Sequence, residues 1–279
     1  MFKIINKQPN SPVYFSRKKV KLSGYVLEVA NFEHEFMLFY RNKKNKTNKH
    51  TKKIDSRNKA LTRAKRIIND YINSNVWHWL DKNGKRIMPL FITLTYRENI
   101  QDLDYANNEF TKFIRRFNYE FFHTKKSVLK YLCVIEFQKR GSIHYHMMIF
   151  NLPFKQKIYD RARSIWPFGS CNIKSIKSKQ GAISGYLVKY LTKEKTKESL
   201  RGRKCYFISR NLHKPIESSI EDVVLLIENN VNNSSPFYQY ERIFKIGNKQ
   251  QTKNAKLYDL KNKPKKYNKI INILKTYEY

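Results

Sequence analysis

Between Lys130 and Phe150 the sequence runs KYLCVIEF-QKRGS-IHYHMMIF. Two apolar, β-rich stretches flank a short segment around Gly141, a pattern that predicts a hairpin. No other segment constrains the chain as strongly, because this one sets three ionisable groups inside strands that are otherwise apolar. Side chains alternate across a strand. His144, His146, Met148 and Phe150 therefore share one face, and Ile143, Tyr145, Met147 and Ile149 share the other. Two imidazoles at i and i+2 can converge on one small ion, and the bland alternative is two satisfied histidines on a half-exposed strand. Glu136 is out of place in YLCVIEF, since a buried carboxylate is expected to be paired or to bind a metal. Its direction depends on the loop. An odd-length loop or a bulge puts Glu136 on the histidine face, and a strict two-residue loop puts it on the other. In the first case Glu136, His144 and His146 form a site for a divalent metal. That set suits Mn²⁺ or Mg²⁺, and also accepts Zn²⁺ or Fe²⁺. In the second, Glu136 finds a Lys or Arg.

The hairpin sits in an organised stretch. PLFITLTY, Pro89 to Tyr96, alternates as a strand does, and 102–123 repeats apolar residues at helical spacing. Phe110, Phe113, Phe117 and Phe121 form that helix's stripe, read as core rather than as a stacking platform. A helix over about Lys155 to Ile165, a strand in GSCNIKSIKS and a helix in GAISGYLVKYLTKEK follow. Upstream, GYVLEVANF and EFMLFY have strand character, and 41–53 is a basic run with little to bury. A helix then begins, with Ser56 as its N-cap. Beyond about Ile216 the pattern weakens to a strand or short helix and a basic tail. The expected division is 1–85, a basic N-terminal region with short strands and a helix; 86–216, the domain carrying the hairpin; and 217–279, a basic extension.

Charge narrows the class of partner. The 279 residues hold 57 Lys+Arg against 22 Asp+Glu, a formal net charge of +35. A compact chain this basic repels itself unless an anion neutralises it, and a polyphosphate does so while releasing counterions. An AT-rich coding bias inflates Lys and Asn but does not explain so few acids. Cys133, Cys171 and Cys205 make neither a CxxC zinc pattern nor a disulfide framework, which fits a reducing cytosol. The N-terminal residues lack a secretory pattern, and no apolar run is long enough for a bilayer, so no membrane partner is expected.

GYLVKYLTK, Gly185 to Lys193, doubles one unit: Tyr186-x-x-Lys189, then Tyr190-x-x-Lys193. The tyrosines are four apart and stack on one helix face, as do the lysines. Alone, tyrosines at this spacing usually mean packing. Beside a metal and a basic surface, a phenolate is also a nucleophile toward a phosphodiester, and a nearby Lys can steady the phosphate.

Taken in order, FITLTY, EFQKRGSIHYHMMIF and GYLVKYLTK resemble motifs I, II and III of the HUH endonucleases. Within them the chain is most similar to rolling-circle replication initiators of phages and small plasmids. YFISRNLHKPI, Tyr206 to Ile216, resembles the Ser-Arg-x-Leu-x-Lys-Pro segment of the filamentous-phage gene II type. The likeness spans about Pro89 to Ile216. It implies an α+β fold, a central antiparallel sheet of about five strands flanked by helices. It implies His144, His146 and Glu136 as ligands of Mn²⁺ or Mg²⁺, Tyr186 and Tyr190 as nucleophile candidates, and Lys189 and Lys193 as active-site lysines. Thr93 and Thr95 of motif I sit either near the DNA or the metal face or, in the preferred reading, in a central strand as structural residues. The implied activity is nicking of single-stranded origin DNA in the host cytoplasm, with a 5′-phosphotyrosine link and later rejoining. No GxxxxGK[ST] segment is present, so unwinding and synthesis fall to a host helicase and polymerase. The competing readings are a non-catalytic basic DNA- or RNA-binding protein, and another HUH enzyme, a plasmid relaxase or a transposase.

Overall fold

A computed structural model describes residues 13–39, 53–153, 156–176, 180–191, 200, 203–246 and 249–277. In chain order the elements are β1 (Val13–Ser23), β2 (Val26–Phe39), α1 (Lys53–Asn75), β3 (Leu90–Tyr96), α2 (Leu103–Phe122), β4 (Tyr131–Phe137), β5 (Ile143–Ile149), α3 (Gln156–Ile165), β6 (Gly169–Ser175), α4 (Gln180–Leu191), β7 (Tyr206–Ile208), β8 (Ile216–Ser218), α5 (Glu221–Val231), β9 (Tyr238–Ile246), β10 (Lys249–Asp259) and α6 (Pro264–Thr276). The fold is α+β, with two five-stranded antiparallel sheets. The chain divides into two units, 51–214 and the combination of 1–50 with 215–279.

In the unit 51–214 the strand order is β6-β3-β5-β4-β7. Alternation sorts its side chains between two apolar layers. Leu94, Cys133, Ile135, Tyr145 and Met147 meet Phe110, Phe113 and Phe117 of α2 and Ile158 and Ala162 of α3. Phe91, Leu132, Val134, Met148 and Phe150 meet Ile68 and Ile72 of α1 and Ile183 and Leu187 of α4. Each fully buried Phe contributes on the order of 1.5–3 kcal/mol relative to exposure. The α2 stripe is therefore core, as its spacing predicts. Asp102 caps α2, its Oδ1 accepting from the backbone N–H of Asp104 at 2.9 Å and of Tyr105 at 3.1 Å. Tyr145 faces α2, stacks on Phe110 with ring centroids 4.4 Å apart and donates to Asn107 Oδ1 at 2.9 Å. α1 begins at Lys53, so Ser56 lies inside the helix and not at the N-cap position the sequence suggests. Residues 41–52 of the basic run lie outside the described residues.

The other unit joins strands from both ends of the chain, in the order β8-β1-β2-β10-β9. Val20, Leu22, Leu27 and Val29 pack against Val224 and Ile227 of α5 and Ile270 and Leu274 of α6. The sequence reading of one strand or short helix after Ile216 falls well short of this. Glu28 bonds Lys21 Nζ, 3.1 Å away, and Lys253. Burial opposes its ionisation, yet the two lysines prevail and hold the carboxyl at about 2. No helix among the described residues is long and apolar enough to cross a membrane.

Candidate metal centre and tyrosine helix

The geometry starts in the turn between β4 and β5. The last strand pair is Phe137 with Ile143, so the loop is Gln138 to Ser142, five residues. Gln138 N–H donates to Ser142 O and Gly141 N–H to Gln138 O, both at 2.9 Å. Gly141 has φ +96°, a conformation that suits a residue without Cβ. The odd count puts Glu136 directly across from His144, on the histidine face.

Strand β3 pairs with β5 on its other side, and two rows of side chains cross the sheet. Thr95, His144 and Glu136 form one row; Thr93, His146 and Val134 form the next. Glu136, His144 and His146 are 3%, 6% and 4% exposed. Glu136 Oε2 bonds His146 Nε2 in a short, buried contact. Ligand atoms of all three residues lie within 4.8 Å of one another. Two imidazole nitrogens and a carboxylate oxygen are donors for a divalent ion, so this buried group can hold one.

The sequence reads Thr93 as structural, and it does more. Its Oγ1 is hydrogen-bonded to His146 Nδ1 at 3.2 Å. A hydroxyl both donates and accepts, so it serves either imidazole tautomer. When Nε2–H donates to Glu136, Thr93 donates to Nδ1; when Nδ1–H donates to Thr93 Oγ1, the Nε2 lone pair can serve a metal ion. The signal available in the sequence is alternation: Thr93 and Thr95 share a face, and β3 borders the hairpin.

Helix α4 covers part of this face. Ile183, Leu187 and Leu191, four apart, are fully buried against the sheet. Tyr190 flanks that stripe and its ring lies flat on His146, centroids 3.5 Å apart and planes 9° apart. Lys189 Nζ is 5.0 Å from the Tyr190 ring centroid. Tyr186 lies one turn earlier in α4, and Lys193 lies outside the described residues. On the opposite flank, β6 sets Ser170 beside Thr95 and Asn172 beside Thr93. Ser170 and Asn172 are exposed and the threonines half-buried, so a polar strip leads from the histidines toward solvent. Sequence reasoning misses Ser170 and Asn172.

Residues 89–195, from β3 through α4, match the family of replication-associated proteins described as ORF2/gene II protein. The match is confined to this segment, which is similar to that family. No curated protein and no solved structure matches the chain. The matched segment contains the triad, Thr93, Tyr186 and Tyr190. It ends before Tyr206–Ile216, the segment with the Ser-Arg-x-Leu-x-Lys-Pro pattern. That segment supplies β7 at the sheet edge and His213, whose N–H donates to Asn75 Oδ1 at 3.0 Å.

Proposed function

We propose that the chain is a rolling-circle replication initiator of the HUH type, which nicks single-stranded origin DNA and holds the cut end as a phosphotyrosine. The observation that carries this reading is the flat packing of Tyr190 on His146, within a buried Glu-His-His group in a gene II-type region. Glu136, His144 and His146 would hold Mn²⁺ or Mg²⁺. Such an ion polarises a non-bridging phosphate oxygen and offsets charge that builds up in the transition state.

The chain's own groups account for the rest. The polar strip of Thr95, Ser170 and Asn172 is a route for a phosphate to reach the histidines, and the chain's net charge of +35 draws the strand in. A phenolate oxygen from Tyr190 or Tyr186 attacks phosphorus. The new O–P bond forms as the bond to the 3′ oxygen breaks, and that oxygen leaves with a proton as a 3′-OH. The phenol's own proton passes to solvent. Lys189 and Lys193 are placed in sequence to steady the phosphate. The ester conserves the bond, and a second tyrosine allows a second transfer that rejoins the strand. A host polymerase would extend the 3′-OH, and a host helicase would open the duplex. The test is incubation with single-stranded origin DNA and Mn²⁺. An SDS-resistant protein–DNA adduct is expected. Intact binding with no adduct across candidate origins would leave a non-catalytic binding protein.

A further inference from the structure

On the sheet face turned away from the histidines, the unit 51–214 has an open groove of about 1190 Å³. Its walls are the C-terminal half of α2, the end of α3, and the segments entering β4 and leaving β7. The floor is apolar: Leu129 is buried, and Ile114, Tyr131 and Ile165 are half-buried. The rim is cationic, with Arg115, Arg116, Lys125 and Arg210 all exposed. Glu120 is the single acid among the lining residues, and it is paired with Arg161 Nη1 at 3.0 Å. Tyr119, 57% exposed, stands at the edge.

We propose that this groove docks an acidic segment of a partner protein that carries apolar anchor residues. The rim asks for negative charge, which excludes the basic segments of this chain itself. A nucleic acid would satisfy the rim but not the floor. Bases dock by stacking on exposed aromatic faces. Tyr119 offers a single exposed ring at the edge, but the floor is mainly aliphatic, and the Tyr131 ring is set edge-on against Phe110 at 6.3 Å within the core. Aliphatic or aromatic side chains of a peptide fill such a floor, while flanking carboxylates meet the arginines. The floor would give residence time and discrimination, and the rim a fast approach. Because the groove lies behind the sheet, a partner can sit there while the histidine face is engaged. The inference needs no nicking chemistry.

The test uses the full chain and a fluorescein-labelled dodecapeptide in which Asp and Glu alternate with Leu and Phe. A control peptide keeps the acids and replaces Leu and Phe by Ser. Anisotropy at physiological salt is expected to show the apolar peptide binding at least about tenfold tighter. Arg115→Glu with Arg116→Glu, both exposed, should weaken it by at least about tenfold. Ile165→Ser should remove the preference for the apolar peptide. Melting curves establish that each variant is folded, and adduct formation should be unchanged in both. Equal affinity for the two peptides would reduce the groove to charge alone and overturn the proposal. Displacement of the peptide by oligo-dT, with DNA affinity lost in the Arg115/Arg116 variant, would assign the groove to nucleic acid and also overturn it. A chain that makes no adduct but prefers the apolar peptide loses the nickase reading and keeps this one.

Discussion

Tyr190 lies flat on His146, ring centroids 3.5 Å apart and planes within 9°. A tyrosine that merely filled space on α4 could face any of the apolar side chains around it. Tyr190 instead covers the imidazole that also contacts Glu136 and Thr93. Tyr190→Phe keeps the ring and the stack and removes only the hydroxyl. It should fold as the parent does, bind single-stranded DNA within about twofold, and lose adduct formation by at least about a thousandfold. Tyr186→Phe should retain a first adduct and lose strand rejoining. An undiminished adduct in Tyr190→Phe would put the attacking oxygen elsewhere.

The Glu136–His146 contact is buried on both sides. Removing one member of such a pair costs about 3–5 kcal/mol, because the remaining group stays in a poorly solvated place. His146→Ala should therefore destabilise by roughly 3 kcal/mol. Glu136→Gln with His146→Ala should cost clearly less than the sum of the single changes, with a coupling of about 1 kcal/mol or more. Urea unfolding of the four chains measures it. Both single variants should also lose Mn²⁺ affinity in calorimetry, a readout independent of DNA. Additive unfolding energies would mean the pair is not formed.

Thr93→Val keeps shape and strand propensity while deleting the hydrogen bond to His146 Nδ1. Partners that orient a metal-ligating His typically contribute about 10–100-fold in metal affinity. Thr93→Val should weaken Mn²⁺ binding by about tenfold with little change in the melting temperature, and Thr93→Ser should restore most of it. A Ser variant as weak as the Val variant would assign the effect to packing.

Much of this site is visible in the residues themselves. The shared face of His144 and His146 follows from alternation, and the core role of Phe110, Phe113 and Phe117 from helical spacing. The direction of Glu136 is open in the sequence because it hangs on the parity of one loop, settled only by five residues between Phe137 and Ile143. The role of Thr93 is hidden because its partner is fifty-three positions away and only strand order brings them together. The second sheet is largely illegible for two reasons. Its strands pair across the whole chain, Val20 with Ser218 and Ala30 with Ala255, which no local period records. KQQTKNAKLYD of β10 also carries few apolar residues, so its strand signal is faint.

His78 should make the unit 51–214 sensitive to mild acid. Burial, then the charges of His213 and Arg86, lower its pKa from 6.5 to about 4. The folded chain thus binds fewer protons than the unfolded one between about pH 4 and 6.5. The contribution is complete above about pH 6.5 and is lost as pH falls toward 4, with a size on the order of 1–3 kcal/mol. Carboxylates mostly titrate lower, so the window from about pH 6.5 to 5 reports imidazoles, and comparison with a His78 variant singles out this one among the chain's seven histidines. The melting temperature of the parent should fall across that window more steeply than that of His78→Gln. Parallel curves for the two chains would remove His78 as the cause.

Two glycines should respond to alanine in opposite directions. Gly169 opens β6 across from Tyr96 of β3: a Cβ there would lie 2.1 Å from Thr95 O and 2.7 Å from Arg97 N. Both are backbone atoms, so the strands would have to separate, and Thr95 shares its row with His144 and Glu136. Gly169→Ala should cost about 1–3 kcal/mol by overpacking, and should disturb Mn²⁺ binding through that row. Gly185 sits in α4, where an added Cβ would meet nothing within 4 Å. Gly185→Ala removes backbone freedom from the unfolded chain and should stabilise by about 0.5–1 kcal/mol. Thermal melts of both variants beside the parent decide the matter. A neutral Gly169→Ala would mean that β3 and β6 are held apart more loosely than their register requires, and the polar strip they form would lose its fixed width.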